Sequence, residues 1–218
     1  MINDGQMYGA AVDKTSGKVK SNQEGRMGYE QYAGKIFARL GFDQSISATY
    51  DNEYAQRVRI YDVQVPYDIR DPRQLGAYNY VVTESYALDA MELGMDVDNA
   101  PLVRAIFDVQ KARWEKTGIV TAVSEDNIDR APYFIYNTIF AAGTPWNTIT
   151  DSGVDQSKLR TVSVKAAFSL ATLFPDDPYA SVLYDAVRSA YDPDKGFYSG
   201  IYESGIGYNK AITANTNG

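Results

Sequence analysis

Four groups of acidic residues could do chemistry in this sequence; one, Asp51 and Glu53 in Tyr50-Asp51-Asn52-Glu53-Tyr54, could line subsites but reads first as a solvated loop. Glu84 lies in Asn79–Leu93, a stretch without Gly or Pro. Val81, Glu84, Leu88 and Met91 recur there at helical spacing, which sets a carboxylate among apolar neighbours. An ionised, unpaired acid on that face is costly, so Glu84 must be neutral, paired, or turned toward a water-filled cavity. The alternative is a supporting acid bonded to an Arg or to backbone. Glu125, Asp126 and Asp129 follow a predicted strand and stand beside Arg130. They fit either a cleft or an Arg–carboxylate network that pins a loop. Glu24, in Glu24-Gly25-Arg26-Met27-Gly28-Tyr29-Glu30, precedes a helix between glycines that let backbone approach a ligand. It could equally cap that helix or pair with Arg26.

The chain of 218 residues has neither His nor Cys. That removes Cys/His zinc sites, thiol nucleophiles, haem–His ligation and the Ser-His-Asp triad. Acid–base chemistry must use Asp, Glu, Tyr or Lys. No cofactor fingerprint is present. Asp192 to Glu203 has the outline of a calcium loop, but Phe197 stands where the sharp turn needs Gly, so no metal is expected. A net charge of −7 argues against nucleic acid and anionic membrane surfaces as partners. No run is long and apolar enough to span a bilayer, and no signal-peptide core opens the chain. Tyr is over-represented, with 18 Tyr against 8 Phe and 2 Trp; a ring carrying a hydroxyl suits sugars or simply half-buried positions.

These acids need elements to position them. Asp13–Gly17 reads as a hairpin turn, and a helix runs from near Tyr29 to Leu40, ended by Gly41. Residues 42–78 form a long connection whose centre, Arg57–Val65, alternates like a strand with one break near Asp62. Helix 79–94 and a helix capped by Asp98 or Asn99, with Pro101 in its first turn, make one pair. Residues 118–156 are non-helical, with strands at 119–123 and 133–140 and a turn at 143–147. Helices 157–174 and 178–191 make a second pair. Residues 192–208 form a Gly/Tyr-rich loop or hairpin. The organisation predicts a mainly α fold: an α/α toroid, partial or open, of antiparallel helix pairs with long loops and short strands on one side. Residues 1–218 are expected to be a single domain, a portion of a larger toroid that missing segments or another chain would complete.

The segments Gln23–Tyr32, Tyr78–Gly94, Thr121–Asn147 with its core Glu-Asp-Asn-Ile-Asp-Arg-Ala-Pro-Tyr-Phe, Thr161–Phe168 and Gly205–Gly218 resemble a bacterial family, domain of unknown function 3131. They run through nearly the whole chain in order. The resemblance implies an (α/α)6 toroid related in architecture to glucoamylase-like and β-1,2-glucan-acting enzymes, the chain matching the later part of the domain. It also implies a periplasmic, secreted or cell-envelope location.

Glycoside hydrolysis fits this composition, because it needs two carboxyl groups and no His. The expected function is a glycoside hydrolase or transglycosylase acting on a bacterial glucan or exopolysaccharide. Glu24, Glu84 and Glu125 are the catalytic candidates, and Asp126, Asp129 and Arg130 would stand behind them. Tyr29, Tyr80 and Trp146 would face sugar, Trp146 either as a platform or as a buried anchor. Donor and nucleophile are separated only by carboxyl spacing in space. The rival expectation is a non-catalytic polysaccharide-binding or assembly module.

Overall fold

The computed structural model describes residues 2–3, 5–7, 9–22, 27–70 and 80–213. Five α-helices lie among them: α1 Tyr29–Arg39, α2 Thr83–Leu88, α3 Ala100–Thr117, α4 Val164–Leu173 and α5 Pro178–Val187. The expected mainly α toroid is not the fold. The chain is about 33% helical and 23% strand, and the strands form several small antiparallel sheets. The reason lies in the connections between helices. Their β-branched and aromatic residues pair with one another instead of standing as loops.

The connection before α2 shows this most clearly. Ala55–Ile60 and Val63–Asp68 pair antiparallel, with Ile60 opposite Val63. Tyr61 and Asp62 take φ values of 47° and 68°, the conformation that a two-residue hairpin turn requires. The break in alternation near Asp62 is therefore a turn between two strands. A similar hairpin joins Phe140–Ala141 to Thr144–Pro145 through Ala142 and Gly143. The Asp13 turn also forms. Its Oδ1 accepts from Thr15 N and Ser16 N between the paired strands Gly9–Val12 and Val19–Asn22.

Helix boundaries moved where backbone groups were already committed. Val81 exchanges backbone hydrogen bonds with Ile139 and Phe140, so α2 cannot begin before Thr83. It continues as a π turn over Asp89–Leu93 and ends at Gly94, whose φ is 92°. Likewise Thr161–Ser163 pairs with Gly200–Tyr202, which shortens the expected helix 157–174 to α4. The expected strand at 119–123 is irregular, and the acidic segment Glu125–Asn127 becomes the strand, paired with Phe134–Asn137.

α3 separates two cores. Ile106 and Val109 face Val65, Val81, Tyr86 and Ile139. Phe107 faces Leu170, Tyr179 and Leu183 of α4 and α5. Each fully buried aliphatic side chain stabilises the fold by about 2 kcal/mol. Gly118 closes α3 in the left-handed region, its N–H donating to Trp114 O. Asp177 caps α5 by accepting from Tyr179 N at 2.9 Å. No helix among the described residues is long and apolar enough to cross a membrane.

Candidate functional site

Four segments far apart in sequence meet at one place: the start of α1, the start of α2, the segment Ser124–Asp126, and the segment Thr161–Lys165 entering α4. Gly28 seats the first against the second. A Cβ there would come within 2.3 Å of Ser85 O, and its φ of 100° is one that side-chain-bearing residues rarely adopt. The Gly28 N–H donates to Gln31 Oε1 at 2.7 Å, fixing the entry to α1.

Gln110 aligns the second segment with the third. This wholly buried amide on α3 donates to Thr83 Oγ1 at 3.0 Å and accepts from Val123 N at 2.7 Å. Thr83 N also donates to Val123 O. Glu84 and Ser124, one residue further along each strand of this clamp, are thereby brought together, with Ser124 Oγ 3.5 Å from Glu84 Oε2. The fourth segment is tied in by Ser163 N donating to Ala122 O at 2.7 Å.

Glu84 occupies the first turn of α2, where negative charge is favoured by the helix dipole. Its carboxylate forms an ion pair with Lys165, and both side chains are largely buried. Lys165 stands in the first turn of α4, where a cation opposes the dipole. Two carboxyl groups offset that cost: Glu84 through the ion pair, and Asp126 through the charge interaction that it shares with Lys165.

Asp126 is 3% exposed. Thr161 Oγ1 donates to its Oδ2 and Ser163 Oγ to its Oδ1, each at 2.9 Å. Burial pushes its carboxyl up to about 6, and the charge of Glu84 adds to the rise. The Lys165 charge and the two hydroxyls limit it. Its neighbour Glu125 points to the other face of the strand, where Oε1 accepts from Tyr29 OH at 2.9 Å. Both Tyr29 and Glu125 are partly exposed.

The site thus gathers Tyr29, Glu84, Glu125 and Asp126 from the sequence-based candidates. It adds Lys165, Ser124, Ser163, Thr161 and the aligning Gln110. The sequence carried a weak signal for Lys165, a cation two residues after Ser163 at the start of a helix. It carried none for Gln110, which reads as an ordinary helical residue.

The other candidates sit elsewhere. Asp129 accepts from Tyr202 OH, Arg130 Nε and Lys210 N, at 2.7, 2.9 and 2.9 Å. Burial alone would raise its carboxyl, but these donors outweigh it and hold it down at about 2. Asp129 and Arg130 therefore form the loop-pinning network that their spacing allowed. Tyr80 is 7% exposed, with its ring edge-on to Tyr136 at 4.6 Å in a small core cluster. Trp146 stacks on Tyr61 at 6.1 Å, with Arg113 over its ring at 5.1 Å, so it anchors its turn. Glu24 lies outside the described residues. Glu203, at the end of the calcium-like outline, is held instead by Arg113 through bonds of 2.7 and 2.9 Å. Among the described residues no group of three or more His, Cys, Asp or Glu could hold a metal ion.

The model of the family described as protein of unknown function (DUF3131) matches residues 1–218. The chain belongs to this family. No curated protein and no solved structure matches it.

Proposed function

We propose that this family member is a carbohydrate-active domain that cleaves or transfers glycosidic bonds of a bacterial glucan or exopolysaccharide. Glu84 and Glu125 would be its reacting carboxylates. The observation that carries the reading is that two acid-bearing segments meet: Glu84, ion-paired with Lys165, lies against Ser124, and the next residue, Glu125, is held by Tyr29. Paired carboxyl groups held by separate elements are what glycoside chemistry uses, one giving or taking a proton and the other acting as nucleophile or base. Lys165 supplies positive charge at the locus, as developing negative charge on a leaving oxygen requires. Tyr29 fixes the orientation of Glu125 and offers a ring edge beside it.

A glycan-panel assay for release of new reducing ends, run on the wild type and on the variants E84Q and E125Q, tests this reading. Release by the wild type and loss in both variants supports it. Unchanged turnover in both overturns the assignment of these acids.

One observation favours a second reading, a polysaccharide-binding module without chemistry. Glu84 is already paired with Lys165, and Glu125 is already engaged by Tyr29. Glycan binding by the wild type with no product over long incubation would select that reading.

A further inference from the structure

A concavity opens beside the start of α1. It has a volume of about 330 Å3, within the range of small-molecule sites. Its floor is apolar and buried, made by Met27, Pro66 and Leu102. Its rim is exposed and mostly polar, made by Asp51, Gln56, Arg57 and Asp98 with the apolar Val97 among them. Between them stands Tyr50, whose hydroxyl is turned away to donate to Asp89 Oδ2 at 3.0 Å. The Tyr50 ring therefore faces the cavity as a fixed surface.

Arg57 Nη1 donates to Gln64 O at 3.3 Å, but the acidic part of the rim is not consumed by internal pairing. Asp51 and Asp98 carry no ion pair among the described residues. Gln56 uses only its carbonyl oxygen internally, accepting from Tyr67 OH at 3.3 Å, so its amide N–H groups remain available. Carboxylates and an amide around an apolar floor match a pyranose ring, which offers hydroxyls at its edge and C–H groups on its faces. Two carboxylates against one guanidinium disfavour an acidic sugar.

The cavity is also joined to the candidate site. Met27 lies two residues before Tyr29, whose hydroxyl meets Glu125. The loop carrying Tyr50 is tied to α1 by Gln31 Nε2 donating to Thr49 O at 3.1 Å.

We infer that this cavity binds a neutral pyranose unit of the glucan chain, holding polymer at a distance from the reacting acids. The inference rests on the glycan reading of the Glu84–Glu125 site, yet its test does not depend on turnover. The protein is prepared with methyl-labelled methionine, and the variant Met27→Leu identifies the Met27 signal. Neutral gluco-oligosaccharides are titrated into the wild type and into E84Q, with oligogalacturonides as the acidic comparison. The Met27 methyl signal is expected to move saturably in both proteins with the neutral series. Binding is expected to weaken about tenfold or more in the double variant D51N/D98N, because two charged acceptors are lost. These exposed residues can change without unfolding the chain. A Met27 signal that stays still at saturating neutral oligosaccharide overturns the inference. So does undiminished binding by D51N/D98N, or a stronger response to the acidic series. A chain that shows the Met27 response but no product keeps this site and loses the catalytic reading. Product formation with a silent Met27 does the reverse.

Discussion

The hydroxyl of Tyr29 donates to Glu125 Oε1 over 2.9 Å, joining the first turn of α1 to a strand 96 residues later. This bond orients one of the two partly exposed acids. A hydrogen bond to a charged acceptor contributes about 1.5–3 kcal/mol. Tyr29→Phe should therefore leave the fold intact and lower turnover on glucan by about tenfold or more. Circular dichroism and a reducing-end assay on the same preparation check both halves, and an unchanged rate would remove Tyr29 from the site.

Lys165 offsets the charges of Glu84 and Asp126 where little water reaches them. Removing one partner of a buried pair strands the other, at a cost of about 3 kcal/mol. Lys165→Met should lower the denaturant midpoint by that amount. The double variant Lys165→Met/Glu84→Gln should recover part of the loss. Equal destabilisation in the single and double variants would show that the pair is not what Lys165 supports.

Asp126 gives a pH signature with a definite sign. Its folded carboxyl is raised to about 6 from an ordinary value near 3.8. Between those values the folded state holds a proton that the unfolded state has released. Its contribution to stability is therefore greatest in acid and falls as pH rises from about 4 through 6. Asp126→Asn should flatten the stability profile across that window, measured by urea unfolding at successive pH values. Asp129, held at about 2, acts oppositely. Its contribution is present above pH 4 and is lost as pH falls toward 2, so Asp129→Asn should act on a separate, more acidic window.

Gly28 lets α1 reach α2. Gly28→Ala would force a Cβ against Ser85 O and strain a φ of 100°. The expected cost is about 2 kcal/mol or more. It should be accompanied by lost glycan turnover, since Tyr29 and Glu84 part company. A thermal-shift series with Gly34→Ala as comparison checks the magnitude; Gly34 also abuts backbone, at Ser47 and Ala48, but its φ is ordinary.

Trp146 carries a buried indole N–H without a hydrogen-bond partner among the described residues. Trp146→Phe removes that donor while keeping a ring between Tyr61 and Arg113. The loss of apolar area and the relief of an unsatisfied group oppose each other, so stability should change by less than about 1.5 kcal/mol. Glycan affinity should not change. A large drop in affinity would return Trp146 to the sugar-facing surface.

Local chemistry was legible in the sequence wherever a few adjacent residues decide the outcome. Gly41, Gly94 and Gly118 stop their helices because each takes a positive φ that other residues resist. The acid–base inventory followed directly from having no His and no Cys. The fold class was not legible. Arg57–Val65 reads as one interrupted strand until Tyr61 and Asp62 turn it back upon itself. Val81 reads as helical until Phe140 claims its backbone. The same blindness applied to the site. Glu84, Glu125 and Asp126 were recognisable as acids in unusual company. That Lys165 would meet Glu84, that Gln110 would align Thr83 with Val123, and that Asp129 would be held by Tyr202 and Lys210 as well as by its neighbour Arg130 depend on contacts between distant segments. Residue type and spacing set what each side chain can do and which local conformations are open to it. Only tertiary packing decides which backbone groups pair and which charges share a low-dielectric interior, because both are settled by neighbours that the linear order does not name.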